Sequence, residues 1–214
     1  MERYNRGWEK LKEIDGEAGE AVIENLKDVA PDLVKYIIEF SLGDIYCRPG
    51  TTLQEKEIAV VAALTATGNA APQLKVHING ALNVGVSPEE LVEVIMQMSS
   101  YSGFPTAING INSLNEVLQE KKVDFKPVPG EKEFNRFTIG LEWLGKLDEN
   151  QVKVLDETFR DIAPDMTEFI VSFGYGDIYS RKNLDPKMRQ IATITALTAM
   201  GTAQPQQAFH IRAG

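Results

Sequence analysis

The chain has 214 residues, 43% of them hydrophobic and 25% charged, a composition expected of a globular protein with a sizeable core. A net charge of −9, with Lys and Arg scattered along the chain, argues against partners held by electrostatics, whether nucleic acid or an anionic membrane surface. A single cysteine, Cys47, excludes an internal disulfide and any Cys-x-x-Cys motif for redox work or zinc, and no apolar run approaches the roughly 18 residues a membrane span needs.

Helical spacing begins at once. Trp8, Leu11 and Ile14 recur at i, i+3, i+6, and Val22, Ile23 and Leu26 continue the stripe in a second segment. Pro31, placed where the first helical turn needs no N–H, opens a helix through "PDLVKYIIEFSLGDIYC". The Ala-rich "LQEKEIAVVAALTAT" (53–67) follows and stops at Gly68. Pro72 starts a helix that runs through His77 to about Val84 and is closed by Gly85. In "SPEELVEVIMQMSSYSG", Ser87 is the N-cap, Pro88 takes the first position and Glu90 completes a capping box. Pro105 begins a last helix through Ile108, Ile111, Leu114 and Leu118. No segment sustains the two-residue alternation of a half-buried strand, so the expected fold class is all-α.

The chain then repeats itself. "DVAPDLVKYIIEFSLGDIYCR" (28–48) returns as "DIAPDMTEFIVSFGYGDIYSR" (161–181), and "AALTATGNAAPQLKVHI" (62–78) as "TALTAMGTAQPQQAFHI" (195–211). The offset is 133 throughout without a gap, and about 29 of about 81 aligned positions are identical, including Arg3/Arg136, Gly7/Gly140 and Asp15/Asp148. This predicts a complete copy over 1–120, a linker at 121–133 rich in charge and carrying two prolines, and a second copy over 134–214. The second copy has counterparts of the first five helices but not of "SPEELVEVIMQMSSYSG" or "FPTAINGINSLNEVL", so its core is expected to be covered by copy one or by another chain. The charged start, "MERYNRGWEKLKEIDG", lacks a signal-peptide core, and the expected location is the cytoplasm.

Both histidines of the chain, His77 and His210, stand at the same point of the repeat. Gln73 lies one turn before His77, with Gly80 and Ala81 on the same side, which makes a polar spot with room beside the ring. On the preceding helix Glu57 shares a stripe with Leu53, Val60, Val61 and Leu64, where a carboxylate needs a partner or a proton. Glu57 and His77 are therefore the candidate acid/base pair. In copy two the partner of His210 is Gln190, which bonds but cannot exchange a proton as a carboxyl does. "GDIYCR" and "GDIYSR" repeat Asp44/Asp177, Tyr46/Tyr179 and Arg48/Arg181. One reading is a helix end whose arginine complements the dipole while Asp and Tyr fix the turn; the other has Arg48 forking a substrate carboxylate. Cys47 becomes Ser180 and reads as a small filler.

These segments resemble the carboxymuconolactone decarboxylase family, which shares its fold with alkyl hydroperoxidase D. The resemblance rests on "APDLVKYIIEFSLGDIY", on the block from Glu55 to Pro105 with its His-x-x-x-Ala-x-x-x-Gly run, and on the echo in 161–214. It implies a compact helical subunit that oligomerises, so that tandem chains would form a trimer or another dimer-based assembly. It also implies decarboxylation of a small carboxylated lactone without metal or cofactor, with His77 and Glu57 stabilising a dienolate and delivering a proton, and with Arg48 and Gln73 as substrate-binding candidates. His210 and Gln190 are the second-copy candidates. The family's usual Arg-Glu pair is here Lys56–Glu57 in one copy and Arg189–Gln190 in the other. The peroxidase branch carries Cys-x-x-Cys before the histidine, but those positions are Ala70 and Gln73, and Ala203 and Gln206. A non-catalytic, oligomeric binding member of the family is the alternative.

Overall fold

A computed structural model describes residues 2–127, 129–130 and 135–213, and among them every regular element is helical. Copy one runs α1 (Glu2–Ile14), α2 (Glu17–Leu26), α3 (Pro31–Tyr36), α4 (Leu53–Thr67), α5 (Ala71–Asn83), α6 (Pro88–Gln97), α7 (Ser99–Ser102) and α8 (Phe104–Glu120). Copy two runs α9 (Arg136–Leu147), α10 (Gln151–Phe159), α11 (Asp165–Phe169), α12 (Pro186–Met200) and α13 (Gln204–Ala213). Of the expected linker, Val128 and residues 131–133 lie outside the described residues. No described helix is long and apolar enough to cross a membrane.

The helix ends follow their chemistry. Thr52 and Ser87 accept from the backbone N–H of Glu55 and Glu90, whose side chains reach back to the cap N–H, so both α4 and α6 start with a closed capping box. Gly68 and Gly201 end α4 and α12 in the left-handed conformation.

The helix expected to continue through 31–47 instead changes its winding. After α3 the backbone widens to i→i+5 turns over Ile37–Tyr46, and after α11 it does so again over Ile170–Tyr179. Each wide segment packs against the first helix of its copy through glycine. A Cβ on Gly7 would stand 1.9 Å from the Ile38 carbonyl oxygen, and one on Gly140 would stand 2.1 Å from that of Val171. The two backbones touch, and a carbonyl directed outward by the wide turn meets the neighbouring helix where no side chain intervenes.

The copies meet along α4 and α12, which are the same helix of the repeat. Ile58, Val61 and Ala62 of α4 share one apolar cluster with Leu184, Ala192 and Ala196, while each copy keeps a flanking cluster of its own. Polar contacts fix the register of this junction. Glu93 of α6 accepts from Arg181 at 2.8 and 2.9 Å and from the fully buried Arg189 at 2.9 Å. Gln97 donates to the Arg189 carbonyl and to Thr193, and Lys187 pairs with Glu55 at 2.6 Å. The expected covering of copy two by copy one takes this form: α6 lies against the wide segment of copy two, and Phe104 packs on Phe173.

Candidate active site

The copy-one site is assembled from the ends of three segments and the middle of a fourth. The Thr52 cap sets the start of α4 and so directs Glu57, one and a half turns in, toward the interior, where it is fully buried. Pro72 sets the start of the next helix, α5, and His77 projects from its second turn. The two groups meet: His77 Nδ1 lies 3.0 Å from Glu57 Oε2. The other Glu57 oxygen accepts from the Tyr46 hydroxyl at 2.6 Å. Tyr46 was expected to fix a turn; it instead holds the buried carboxylate, delivered there by the last turn of the wide segment. Asp44 binds Arg3 and Arg6 of α1, so this half of "GDIYCR" ties two segments together.

Lys56, next to Glu57, points the other way. Its Nζ donates to the carbonyls of Tyr46 and Arg48, both at 2.7 Å, and closes the C-terminal end of the wide segment that carries Tyr46.

A second carboxyl, absent from the expected site, joins the pair. Asp15 follows the last turn of α1 and is 7% exposed, with its Oδ1 lacking a hydrogen-bond partner among the described residues. It fits because two facing residues have no side chain. A Cβ on Gly80 would stand 2.7 Å from Asp15 Oδ1 and 3.2 Å from Glu57 Oε2, and one on Gly19 would stand 2.6 Å from Asp15 Cβ. Asn79 and Asn83 donate to the carbonyls of Asp15 and Ile14, and both amide oxygens accept from Lys121 at 2.8 Å. A surface lysine beyond α8 thus anchors the helix end that carries the buried acid.

The electrostatics follow from these distances. Burial pushes the Asp15 carboxyl up to about 6; the His77 charge opposes the shift and the Glu57 charge adds to it. Burial alone would lower the His77 pKa, but the hydrogen bond and charge of Glu57, with the charge of Asp15, outweigh it and hold the ring above its ordinary value. Burial and the Glu57 charge raise Tyr46 far out of the physiological range, so it remains a neutral donor. The His77 side chain keeps 26% of its surface exposed, which leaves the ring accessible from outside while its partner carboxylate is sealed.

Of the other expected residues, Gln73 is exposed one turn before His77. Arg48 is also exposed, on a surface depression with Arg6, Phe40 and Asp44 that includes neither Glu57 nor His77. In copy two, His210 Nδ1 meets Gln190 Oε1 at 2.8 Å, but the rest of the environment differs. The Tyr179 hydroxyl and Gln190 Nε2 are buried without partners among the described residues, where Tyr46 and Glu57 bond in copy one. Asp148 caps the backbone of Asn150 instead of entering the site, and Val152 and Ala213 stand where Gly19 and Gly80 made room for Asp15. Burial lowers the His210 pKa to about 4 with no charge to offset it.

Each copy of the helical repeat thus bonds a histidine from one helix to a carboxyl or an amide of its neighbour. The chain matches the carboxymuconolactone decarboxylase family over residues 31–116 and again over 164–214, and it belongs to that family. It is 31% identical over 120 residues to a 4-carboxymuconolactone decarboxylase of Acinetobacter baylyi, a match covering 56% of this chain and 89% of the relative. It is 26% identical over 97 residues to an uncharacterized 15.0 kDa protein in the nqo9-nqo10 intergenic region of Paracoccus denitrificans, covering 45% of this chain and 72% of that protein.

Proposed function

We propose that copy one is an acid/base site that decarboxylates a small carboxylated lactone or a related acid. The observation that carries this reading is the buried Glu57 carboxylate bonded at once to Tyr46 and to an accessible His77. Glu57 fixes the ring through Nδ1, which leaves Nε2 to face a substrate. In the step, the bond to the carboxylate carbon breaks, CO2 leaves, and the electron pair spreads into the lactone as a dienolate. His77 donates a hydrogen bond to that charge and then transfers its proton to carbon; solvent reprotonates the ring. The ion pair with Glu57 and the nearby Asp15 favour the protonated ring that this step consumes. General acid catalysis of this kind contributes about 10²–10⁴-fold. The relative named 4-carboxymuconolactone decarboxylase supports the reaction class, and the exposure of His77 supports access. Turnover of carboxylated lactones, followed by CO2 release, is the test; absence of turnover across a panel of such acids overturns the reading.

We further propose that this protein acts as a homo-oligomer. Leu33, Tyr36 and Phe40 form an exposed apolar stripe at three- and four-residue spacing on copy one, and Phe40 is bare at the position where copy two's Phe173 is covered by Phe104.

A further inference from the structure

A cavity of about 460 Å³ lies beside His210, within the size range of small-molecule sites. Leu155 and Phe159 of α10, Tyr175 of the wide segment and Phe209 of α13 wall it on the copy-two side, and Tyr101 of α7 closes it from copy one. None of the described lining residues carries a formal charge. Arg189, whose charge reaches Tyr101 on the cavity wall, is already committed to Glu93 and Gln97. A carboxylate entering here would lose its hydration and meet no positive partner among the described lining residues.

His210 supplies the polar feature. Tyr101 and Phe209 meet its ring edge-on, with centroids 6.1 and 5.0 Å away. Gln190 Oε1 accepts from Nδ1–H, so the other nitrogen, Nε2, carries a lone pair. Burial with a pKa of about 4 keeps the ring neutral at physiological pH. Copy one gathers two carboxyls around its histidine; copy two gathers aromatic edges and one acceptor.

We propose that the copy-two cavity is a binding site for a small uncharged aromatic molecule bearing a hydroxyl group, its ring among Tyr101, Tyr175 and Phe209 and its O–H donated to His210 Nε2. This assignment stands apart from the acid/base reading of copy one, because it uses none of those residues.

The test uses the whole chain at pH 7 with 2-naphthol as probe and 2-naphthoate as its charged counterpart on the same ring. The expected result is saturable binding of 2-naphthol, one per chain, with 2-naphthoate at least tenfold weaker. Gly174 lines the cavity, and a Cβ added there meets nothing within 4 Å. Gly174→Leu therefore directs an apolar side chain into the space from a helical backbone whose added Cβ is free of contacts, and is expected to weaken 2-naphthol at least tenfold while the melting temperature holds. Glu57→Gln, in the other copy, is expected to leave the affinity unchanged. Equal binding of 2-naphthoate, an unaltered affinity in Gly174→Leu, loss of binding in Glu57→Gln, or no saturation at millimolar probe would each overturn the proposal.

Discussion

Copy one and copy two hold a histidine at the same point of the same helix, and the two rings experience opposite fields. His77 is drawn toward its protonated form by Glu57 and Asp15, whereas His210 is driven toward its neutral form by burial beside an amide. Three replaced positions account for the two carboxyls beside His77 that His210 lacks. Glu57 becomes Gln190, and the two glycines that admit Asp15 become Val152 and Ala213. The lesson is that the charge of a site can be set by residues without side chains: removing two Cβ atoms lets a carboxyl in.

Four substitutions sharpen the contrast, and a fifth tests what surrounds it. His77→Ala is expected to reduce lactone decarboxylation by about 10²–10⁴-fold, measured as kcat/KM. An effect below tenfold would leave copy one no more catalytic than copy two. Glu93→Ala strands two guanidiniums, one of them fully buried, and is expected to destabilise the chain by about 3–5 kcal/mol in urea unfolding.

Asp15→Asn probes pH dependence. The folded pKa of Asp15, about 6, lies above its ordinary 3.8, so its contribution is fully present below 3.8 and is lost as pH rises through 6. The amide removes that loss, so the variant is expected to gain on the order of 3 kcal/mol over the parent at pH 8 and nothing near pH 3. The same change removes one charge that raises His77, so the alkaline limb of activity should move to lower pH. His210 has the reverse sign: its folded pKa is depressed, so its contribution is present above 6.5 and lost as pH falls through about 4.

Lys56→Ala leaves two helix-end carbonyls without their donor, and a loss of about 1 kcal/mol is expected from the melting curve, well below that of Glu93→Ala. Phe40→Asp places a charge in the exposed stripe and is expected to lower the mass seen by light scattering at micromolar concentration, with the helical circular dichroism signal unchanged.

Much of the architecture could be read from local chemistry. Ser87 with Glu90, Pro72 and Gly68 mark helix ends because each satisfies or removes a terminal backbone group without help from elsewhere. Glu57 was visible because its neighbours on the stripe are apolar. Asp15 was not, because its burial depends on space opened by Gly19 and Gly80, which are helix residues like any others until α1, α2 and α5 come together. The clue was present in the alignment of the copies, where Asp15 and Asp148 agree while both facing glycines are replaced. The wide turns at Ile37–Tyr46 and Ile170–Tyr179 leave no periodic mark distinct from an α-helix. The repeated arginine differs between the copies for a related reason. Arg181 finds Glu93 from 88 positions upstream, a partner that spacing cannot reveal, while Arg48 lies on the surface.

The Glu93 contact also limits how the halves can be separated. A polypeptide severed between the repeats would yield one piece with a sealed carboxylate facing water and another with two arginines facing nothing. Neither fragment carries its own counter-ion. The duplication is thus no longer modular: each half has become a cofolding requirement of the other.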